Sequence, residues 1–253
     1  DEIVKNLRKV MEKVLRPENF CVSYTGERES LDVVKAQAAG IKKVLFNGQK
    51  PESVKQAPCI KKNEAFKTSG QVQYVAQNGN FRKKGLEYTG ALEILKVILS
   101  YDYLWINLRV KGGAYGCMSG FKRNGESFLV SYRDPHLKRT LEVYQGVPDY
   151  IRAFEADERE MTKYIIGTIS NKDVPRTPQM QGSISKTAYF SNVTEDMLQK
   201  ERNQILGAQK EDIQKLAALV EAVLSDDQIC VVGSETAIEK AEDVFMEVKP
   251  LIG

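Results

Sequence analysis

Apolar residues recur at helical spacing near the start of the chain. The spacing predicts an amphipathic helix over residues 1–16, stopped by Pro17, and a second helix over residues 31–45. The apolar positions of these helices are Ile3, Leu7, Val10 and Val14, then Leu31, Val34, Ala38, Ile41 and Leu45. The apolar run 20–24 between them predicts a short strand. Because the chain opens inside a helical pattern and without an initiator methionine, we expect it to be a piece of a longer protein.

The pattern changes after residues 47–63, which hold two prolines and many polar residues and which we predict to be a linker. Val72, Tyr74 and Ala76 then alternate with polar residues, which predicts a half-buried strand ending at Asn78-Gly79. A helix follows over residues 90–108. It is apolar over most of its surface, so it must be covered on most sides.

The central part of the chain predicts a hairpin and a bent helix. The turn Asn124-Gly125 joins apolar runs at residues 117–123 and 126–132, a strong signal for a hairpin. Asp134-Pro135 predicts an N-cap and a first-turn proline for the next helix, which we expect to bend near Gly146 and Pro148. Asp157 with Glu160 resembles a capping box that opens a helix through Ile169.

The last third of the chain predicts further helices around one strand. After a loop at residues 171–182, we expect helices near 183–191, 195–206 and 210–224, a strand at 228–232, and a last helix. The apolar positions of that last helix are Ile238, Val244, Phe245 and Val248. The strand and its helix resemble residues 20–26 and the helix after them. This likeness reflects either an internal repeat, with the tail of one unit before a complete second unit, or a coincidence of two strand–helix units.

Composition excludes several classes of protein. With 42% hydrophobic residues among 253, the chain is not intrinsically disordered. Its most apolar stretch, residues 91–108, contains Glu93, Lys96 and Asp102 and therefore does not span a membrane. The net charge of +3 and short basic clusters such as Arg82-Lys83-Lys84 do not match a nucleic-acid footprint, although binding of a nucleic acid stays open as a third hypothesis.

Histidine and cysteine limit the possible metal chemistry. The single histidine, His136, cannot supply the two or three histidines of a typical catalytic zinc site, and its position in a first helical turn favours a surface imidazole. The four cysteines form no C-x-x-C pair. We expect Cys21, Cys117 and Cys230 to be buried thiols beside strand residues, which favours a reducing compartment and a cytoplasmic location.

Arg109 and Tyr115 are the candidate functional residues. Arg109 ends the predicted apolar helix, and Tyr115 follows after two glycines that allow a tight turn. A guanidinium and a phenol placed together can both donate to a peptide carbonyl and stabilise an oxyanion. The alternative is that Arg109 compensates the helix C-terminus while Tyr115 packs beside the hairpin.

Three motifs in chain order carry a resemblance to a known family. They are Arg109-Val-Lys-Gly-Gly-Ala-Tyr-Gly116, Ser131-Tyr-Arg-Asp-Pro135 and Ile165-Ile-Gly-Thr-Ile169. The chain resembles the C-terminal half of the pitrilysin/insulinase metallopeptidases, above all the presequence protease branch, over about residues 66–253.

The resemblance implies four homologous domains in two halves that enclose a peptide-degrading chamber. Residues 1–63 would be the strand–helix end of a preceding domain plus a linker, and residues 64–253 would be a complete C-terminal domain. The fold implied is α+β, with a mixed, largely antiparallel sheet and helices mainly on one face. Zinc would be held by a His-x-x-Glu-His motif in the N-terminal half, which is the expected partner of this chain.

In the same resemblance, Arg109 and Tyr115 bind the backbone of an unfolded peptide substrate beside that zinc, and Tyr115 contacts the transition state. Lys111, Gly112 and Gly113 shape their loop. This sequence contains no His-x-x-Glu-His, so no metal ligand and no catalytic base is expected in it. The leading hypothesis is therefore the non-catalytic, substrate-binding part of a zinc metalloendopeptidase. The second is a stand-alone, non-catalytic subunit of the same fold that binds peptides or acts as a scaffold.

Overall fold

The computed structural model describes residues 1–49 and 60–252, which form two compact units. The first unit comprises residues 1–49 and 175–194, and the second comprises residues 60–174 and 195–252. The first unit contains the helices α1 (Glu2–Val14), α2 (Leu31–Val44) and α7 (Pro178–Phe190). The predicted domain boundary at residue 63 stays a prediction, and most of the predicted linker lies outside the described residues.

The second unit contains a sheet and the other helices. Its strands are β1 (Glu64–Thr68), β2 (Gln73–Asn80), β3 (Gly116–Phe121), β4 (Glu126–Asp134), β5 (Gln228–Ser234) and β6 (Glu247–Pro250). Its helices are α3 (Ala91–Tyr101), α4 (Lys138–Gln145), α5 (Val147–Arg152), α6 (Glu158–Lys172), α8 (Glu195–Leu206), α9 (Lys210–Gln214), α10 (Ala217–Leu224) and α11 (Glu235–Glu239).

The sheet is mixed, as predicted. Its six strands follow the order β3-β4-β2-β5-β1-β6. Strand β1 runs parallel to β5 and β6, whereas the β2–β4, β2–β5 and β3–β4 pairs are antiparallel. The β3–β4 pair is the predicted hairpin, and Gly125 in its turn has a φ of +90°, which favours glycine. The predicted α+β class is therefore confirmed.

The two faces of the sheet differ in burial. Val75, opposite Ser131 and Val231, is fully buried. On the other face, Tyr74 and Met118 are 45% and 52% exposed. Because strand side chains alternate between faces, one face packs against the helices while the other is more open. This arrangement agrees with the prediction that helices lie mainly on one face.

Helix α3 forms the centre of the core. Five of its apolar side chains are at most 1% exposed: Leu92, Ile94, Leu95, Ile98 and Leu99. Burying side chains of this kind stabilises the fold by about 1.5–3 kcal/mol each, before the loss of conformational entropy is counted. The expectation that the apolar helix predicted over residues 90–108 must be covered on most sides holds for most of α3, whereas Trp105 and Ile106 beyond it are 41% and 40% exposed.

Several predicted helix boundaries are confirmed and one is corrected. The capping box of Asp157 and Glu160 is present at the start of α6, and the helix after the hairpin is divided at Gly146. Asp134 does not serve as an N-cap, because α4 begins only at Lys138. Instead, Asp134 accepts hydrogen bonds from the His136 amide (2.9 Å) and from the Thr140 hydroxyl (2.7 Å).

Three other segment predictions are wrong. Residues 20–24 form no strand, since a strand needs a neighbour and the described part of the chain supplies none there. Strand β2 continues through Asn78-Gly79, because both residues still pair with β4. Glycine is needed at position 79, since an added Cβ would lie 2.0 Å from the carbonyl oxygen of Val223. The predicted last helix is divided into α11, a 3₁₀ turn at Glu242–Val244 and β6, which pairs with β1.

Candidate functional site

The helix that carries Arg109 ends in a widened turn. Helix α3 stops at Tyr101, and the chain continues as a π-helix over Trp105–Val110 rather than as the single predicted helix. The amide of Lys111 donates to the carbonyl of Ile106 over five residues (2.9 Å). Single turns of π-helix are frequent at functional sites.

Two glycines reverse the chain directly after this turn. Gly113 has a φ of +78°, and its amide donates to the Arg109 carbonyl (2.9 Å). An added Cβ on Gly112 would lie 2.4 Å from the carbonyl oxygen of Leu108. A left-handed glycine is a common way to end a helix. Here it brings Tyr115 back beside Arg109, so the structure does place the two predicted residues together.

The guanidinium of Arg109 is held by a backbone carbonyl and by two rings. Its Nη1 donates to the carbonyl of Tyr115. Its central carbon lies 4.5 Å from the ring centroid of Trp105 and 5.5 Å from that of Tyr115. Cation–π contacts of this kind contribute about 0.5–1 kcal/mol at exposed positions. The half-buried Arg109 side chain is therefore restrained, and Arg109 and Tyr115 form one cluster.

Tyr115 is held at its backbone and along its ring. Its amide donates to the Arg133 carbonyl (3.2 Å), and its ring contacts that of Tyr132 edge-on, with centroids 5.5 Å apart. The guanidinium carbon of Arg133 lies 5.7 Å from the centroid of Tyr115. The Tyr115 residue is nevertheless 56% exposed, so its ring is positioned while solvent or a ligand can still reach it.

Arg133 reaches Tyr115 because β4 carries a bulge. Val75 of β2 pairs with Ser131, but Gln73, two residues away, pairs with Asp134, which leaves one extra residue in β4. Arg133 has a φ of +49°, which is uncommon for a residue with a side chain. Bulges re-aim side chains and are frequent next to active sites.

The thiol of Cys117 lies beside this cluster and shows the effect of burial. Burial raises the pKa of Cys117, and the positive charge of Arg109 opposes part of that rise. The expectation of three buried thiols is wrong in detail, because Cys117 is half-buried while Cys21 and Cys230 are exposed. Cys21 lies outside any strand, and Cys230 lies on the open face of the sheet.

The residues present do not fit a catalytic zinc ion. Such a site needs three protein ligands, and residues 1–49 and 60–252 contain no group of three His, Cys, Asp or Glu side chains placed to hold a metal. His136 is exposed beside the turn before α4. The same described ranges contain no helix that is both long and apolar enough to cross a bilayer.

Sequence reasoning missed three members of the cluster. Trp105 precedes Arg109 by four residues, a spacing that places side chains on one helical face, so this signal was available. Tyr132 and Arg133 lie within the motif Ser131-Tyr-Arg-Asp-Pro135, which does not by itself predict a role for either side chain. Their contact with Tyr115 depends on the bulge and on the pairing of β3 with β4, which one sequence does not reveal.

The comparisons with known proteins agree with this architecture. The model of the PreP C-terminal domain family matches residues 63–235. The chain is similar to Protein HypA from Clostridium perfringens, with 42% identity over 250 residues that cover 99% of this chain and 26% of the relative. It is also similar to Presequence protease 1, chloroplastic/mitochondrial, from Arabidopsis thaliana, with 34% identity over 192 residues that cover 74% of this chain and 18% of the relative.

The chain spans about a quarter or less of the length of these relatives. Among solved structures, it is similar to the peptidase M16 inactive domain from Pseudomonas fluorescens, with a TM-score of 0.53 and 18% identity over 88% of this chain and 52% of that one. At this identity the likeness shows the fold. Since the family model covers well over half of the residues, the chain belongs to the PreP C-terminal domain family.

Proposed function

We propose that this chain is the non-catalytic, substrate-binding C-terminal part of a zinc metalloendopeptidase that degrades peptides in an enclosed chamber. The observation that carries the proposal is the joint placement of Arg109 and Tyr115 on one restrained turn. The names of the presequence protease relatives and the match to an inactive peptidase domain support this class of protein.

The proposed role of Arg109 and Tyr115 is to donate hydrogen bonds to the main chain of a bound peptide. A guanidinium offers five N–H donors and a phenol one O–H, and backbone carbonyls accept such bonds along an extended peptide. Donors that face the position where negative charge develops also lower the barrier, and losing one costs about 10²–10³ in rate. Tyr115 is the donor assigned to the transition state.

The catalytic zinc and the general base belong, in this proposal, to the N-terminal half of the protein. Zinc would supply activation of the attacking water there. The residues of the present chain bind and orient the peptide, and the position of Arg109 is fixed in advance by Trp105 and by the Tyr115 carbonyl. Fixing donors before the substrate arrives reduces the ordering cost of binding.

The test is Tyr115→Phe in the full-length protein. The change removes only the hydroxyl and keeps the ring that contacts Arg109 and Tyr132. We expect kcat/KM for an unfolded peptide to fall by about 10²-fold. Zinc content and the midpoint of thermal unfolding should stay unchanged.

The matched control is Tyr101→Phe, since Tyr101 is a 72% exposed tyrosine at the end of α3. It should leave kcat/KM within twofold of the wild type, because single changes of exposed residues are close to neutral. If Tyr115→Phe behaves like this control, Tyr115 packs against the hairpin and makes no contact with the reacting peptide.

A further inference from the structure

Two arginines approach the exposed ring of Tyr115, and neither is paired with a carboxylate in the described part of the chain. The guanidinium carbons of Arg109 and Arg133 lie 5.5 and 5.7 Å from the Tyr115 centroid. Other arginines there do form ion pairs, among them Arg16, Arg82, Arg123, Arg152 and Arg202. Two unbalanced positive charges on one aromatic ring are therefore a distinctive feature of this surface.

The acidic residue next in sequence does not neutralise this pair. Asp134 follows Arg133 directly, but it is buried, with only 1% of its surface exposed. Its oxygens accept bonds from the Thr140 hydroxyl and the His136 amide. Asp134 pairs with Gln73, which is buried as well, so its carboxylate lies on the covered face of the sheet, whereas the Arg133 side chain is exposed.

Further positive charge surrounds the same turn. Lys111 is exposed two residues after Arg109, and Arg139 donates to the Lys111 carbonyl (3.1 Å). The surface near Tyr115 therefore combines aromatic rings with a local surplus of cations. Like charges placed this close repel one another, and an anionic ligand would relieve that repulsion.

The geometry favours a carboxylate as that anion. A guanidinium is planar and forms two parallel hydrogen bonds with a carboxylate, and both arginines have their guanidinium groups next to the Tyr115 ring. Arg109 already donates one N–H to the Tyr115 carbonyl, whereas the exposed Arg133 is held by the ring alone among the contacts described. Arg133 is thus the more available of the two guanidinium groups.

We infer that Arg133, next to Arg109 and Tyr115, forms a subsite for a peptide carboxylate and is the residue that selects it. The inference rests on the proposed function and adds a substrate class to it: peptides with a carboxylate near the bond that is cleaved. The carboxylate comes from a Glu or Asp side chain or from the free C-terminus of the peptide.

The experiment compares pairs of fluorogenic peptides in the full-length protein and its Arg133→Gln variant. One set carries Glu or Gln at each position flanking the cleaved bond in turn, and the other set has a free or an amidated C-terminus. We expect wild-type kcat/KM to be about tenfold higher for the carboxylate member of one set, since a charge-assisted bond contributes that much. The set that shows the preference identifies the source of the carboxylate.

In Arg133→Gln, the ratio of kcat/KM between the carboxylate and the uncharged peptide should fall from about tenfold to about one, mainly because kcat/KM for the carboxylate peptide falls. Arg133→Lys should keep part of the preference, because it keeps the charge but loses the planar fork. Arg152→Gln removes an exposed arginine that is paired with Asp149 and Glu221, and it should keep the full preference. Raising the salt from 50 to 500 mM should weaken the wild-type preference.

Two results overturn the inference: a wild-type protein without preference in either set, or an Arg133→Gln variant that loses rate equally on both members of a pair. The second result would make Arg133 a support for Tyr115. Thermal unfolding of each variant checks that it is folded. If Arg133→Gln does not fold, the peptide ratios are compared between the wild type and Arg133→Lys instead. Tyr115→Phe should slow both members equally, so its failure counts against the proposed function and leaves the ratio measured for Arg133 intact.

Discussion

The ring of Tyr132 lies directly against the backbone of Gly116 at the start of β3. An added Cβ at position 116 would be 2.3 Å from Cε1 of that ring, closer than real Cβ contacts. The same ring meets Tyr115 edge-on at 5.5 Å. Because Gly116 has no side chain, the rings of Tyr115 and Tyr132 can pack together beside the turn after Arg109.

Gly116→Ala should lower the free energy of unfolding of the 253-residue chain by about 1–3 kcal/mol, because the added methyl group displaces the Tyr132 ring from a packed position. Urea unfolding measures this change. The matched control is Gly167→Ala in α6, where an added Cβ meets only Val97, at 3.9 Å. This control should stabilise the chain by up to about 1 kcal/mol, since alanine favours a helix interior. Equal effects of the two changes would contradict the role given to Gly116.

At this scale the sequence could identify Arg109 and Tyr115, since both lie within one short segment joined by two glycines. It could not identify Arg133, whose contact with Tyr115 crosses from one strand to the next. That contact depends on a one-residue bulge, and a register shift of one residue would send the side chain to the other face. Local spacing is visible in one sequence, whereas strand register is set by packing.

Helices α6 and α8 and the end of the β3–β4 hairpin are joined through one buried carboxylate. Glu201 of α8 is only 4% exposed. It accepts a bond from Nε of Arg123 (2.9 Å) and pairs with Lys172 at the end of α6. The guanidinium carbon of Arg123 also lies 5.7 Å from the Tyr88 ring. These contacts connect elements that are far apart in sequence.

Glu201→Ala should lower the free energy of unfolding by about 1–3 kcal/mol, because it removes the hydrogen-bonded partner of Arg123 and Lys172, whose partly exposed charges water can then solvate. Chemical denaturation followed by circular dichroism gives the value. Lys200→Ala, at the neighbouring exposed position of α8, should change stability by no more than about 0.5 kcal/mol. A similarly small loss for Glu201→Ala would mean that water replaces the buried pair without penalty.

Among the elements, those with a local signal were predictable. The Asn124-Gly125 hairpin and the capping box at Asp157 need only a few neighbouring residues, and both are present. The apolar spacing near the end of the chain predicts a helix that includes Val248. The segment Glu247–Pro250 is instead strand β6, because it pairs with β1, more than 170 residues earlier in the chain. The reverse error at residues 20–24 has the same cause, since apolar residues there have no strand beside them in the described structure.

At the scale of the whole molecule, the two units differ in how much apolar surface they bury. No apolar side chain of residues 1–49 or 175–194 is buried, and Ile3, Leu7 and Val44 are 76%, 58% and 83% exposed. The core instead lies in residues 60–174 and 195–252. Exposed apolar faces of this kind are typical of surfaces that bind other protein segments.

Hydrogen exchange followed by mass spectrometry tests this difference. In the 253-residue chain, amides of residues 1–49 and 175–194 should exchange about 100-fold faster than those of α3, because local opening is easiest where few apolar contacts are buried. In a longer polypeptide that carries the preceding residues, the same amides should become protected. Uniform protection in the 253-residue chain would show that the first unit is stable without further cover.

The return of residues 175–194 to the first unit has a consequence for biosynthesis. The first unit cannot be completed until residue 194 has left the ribosome, 145 residues after residue 49. At about 5–20 residues per second, that interval lasts roughly 7–29 s. Throughout it, the apolar faces of α1 and α2 lack α7, one of the helices with which they form a unit. We therefore expect these faces to be the part of the nascent chain most open to non-specific apolar contacts during that interval.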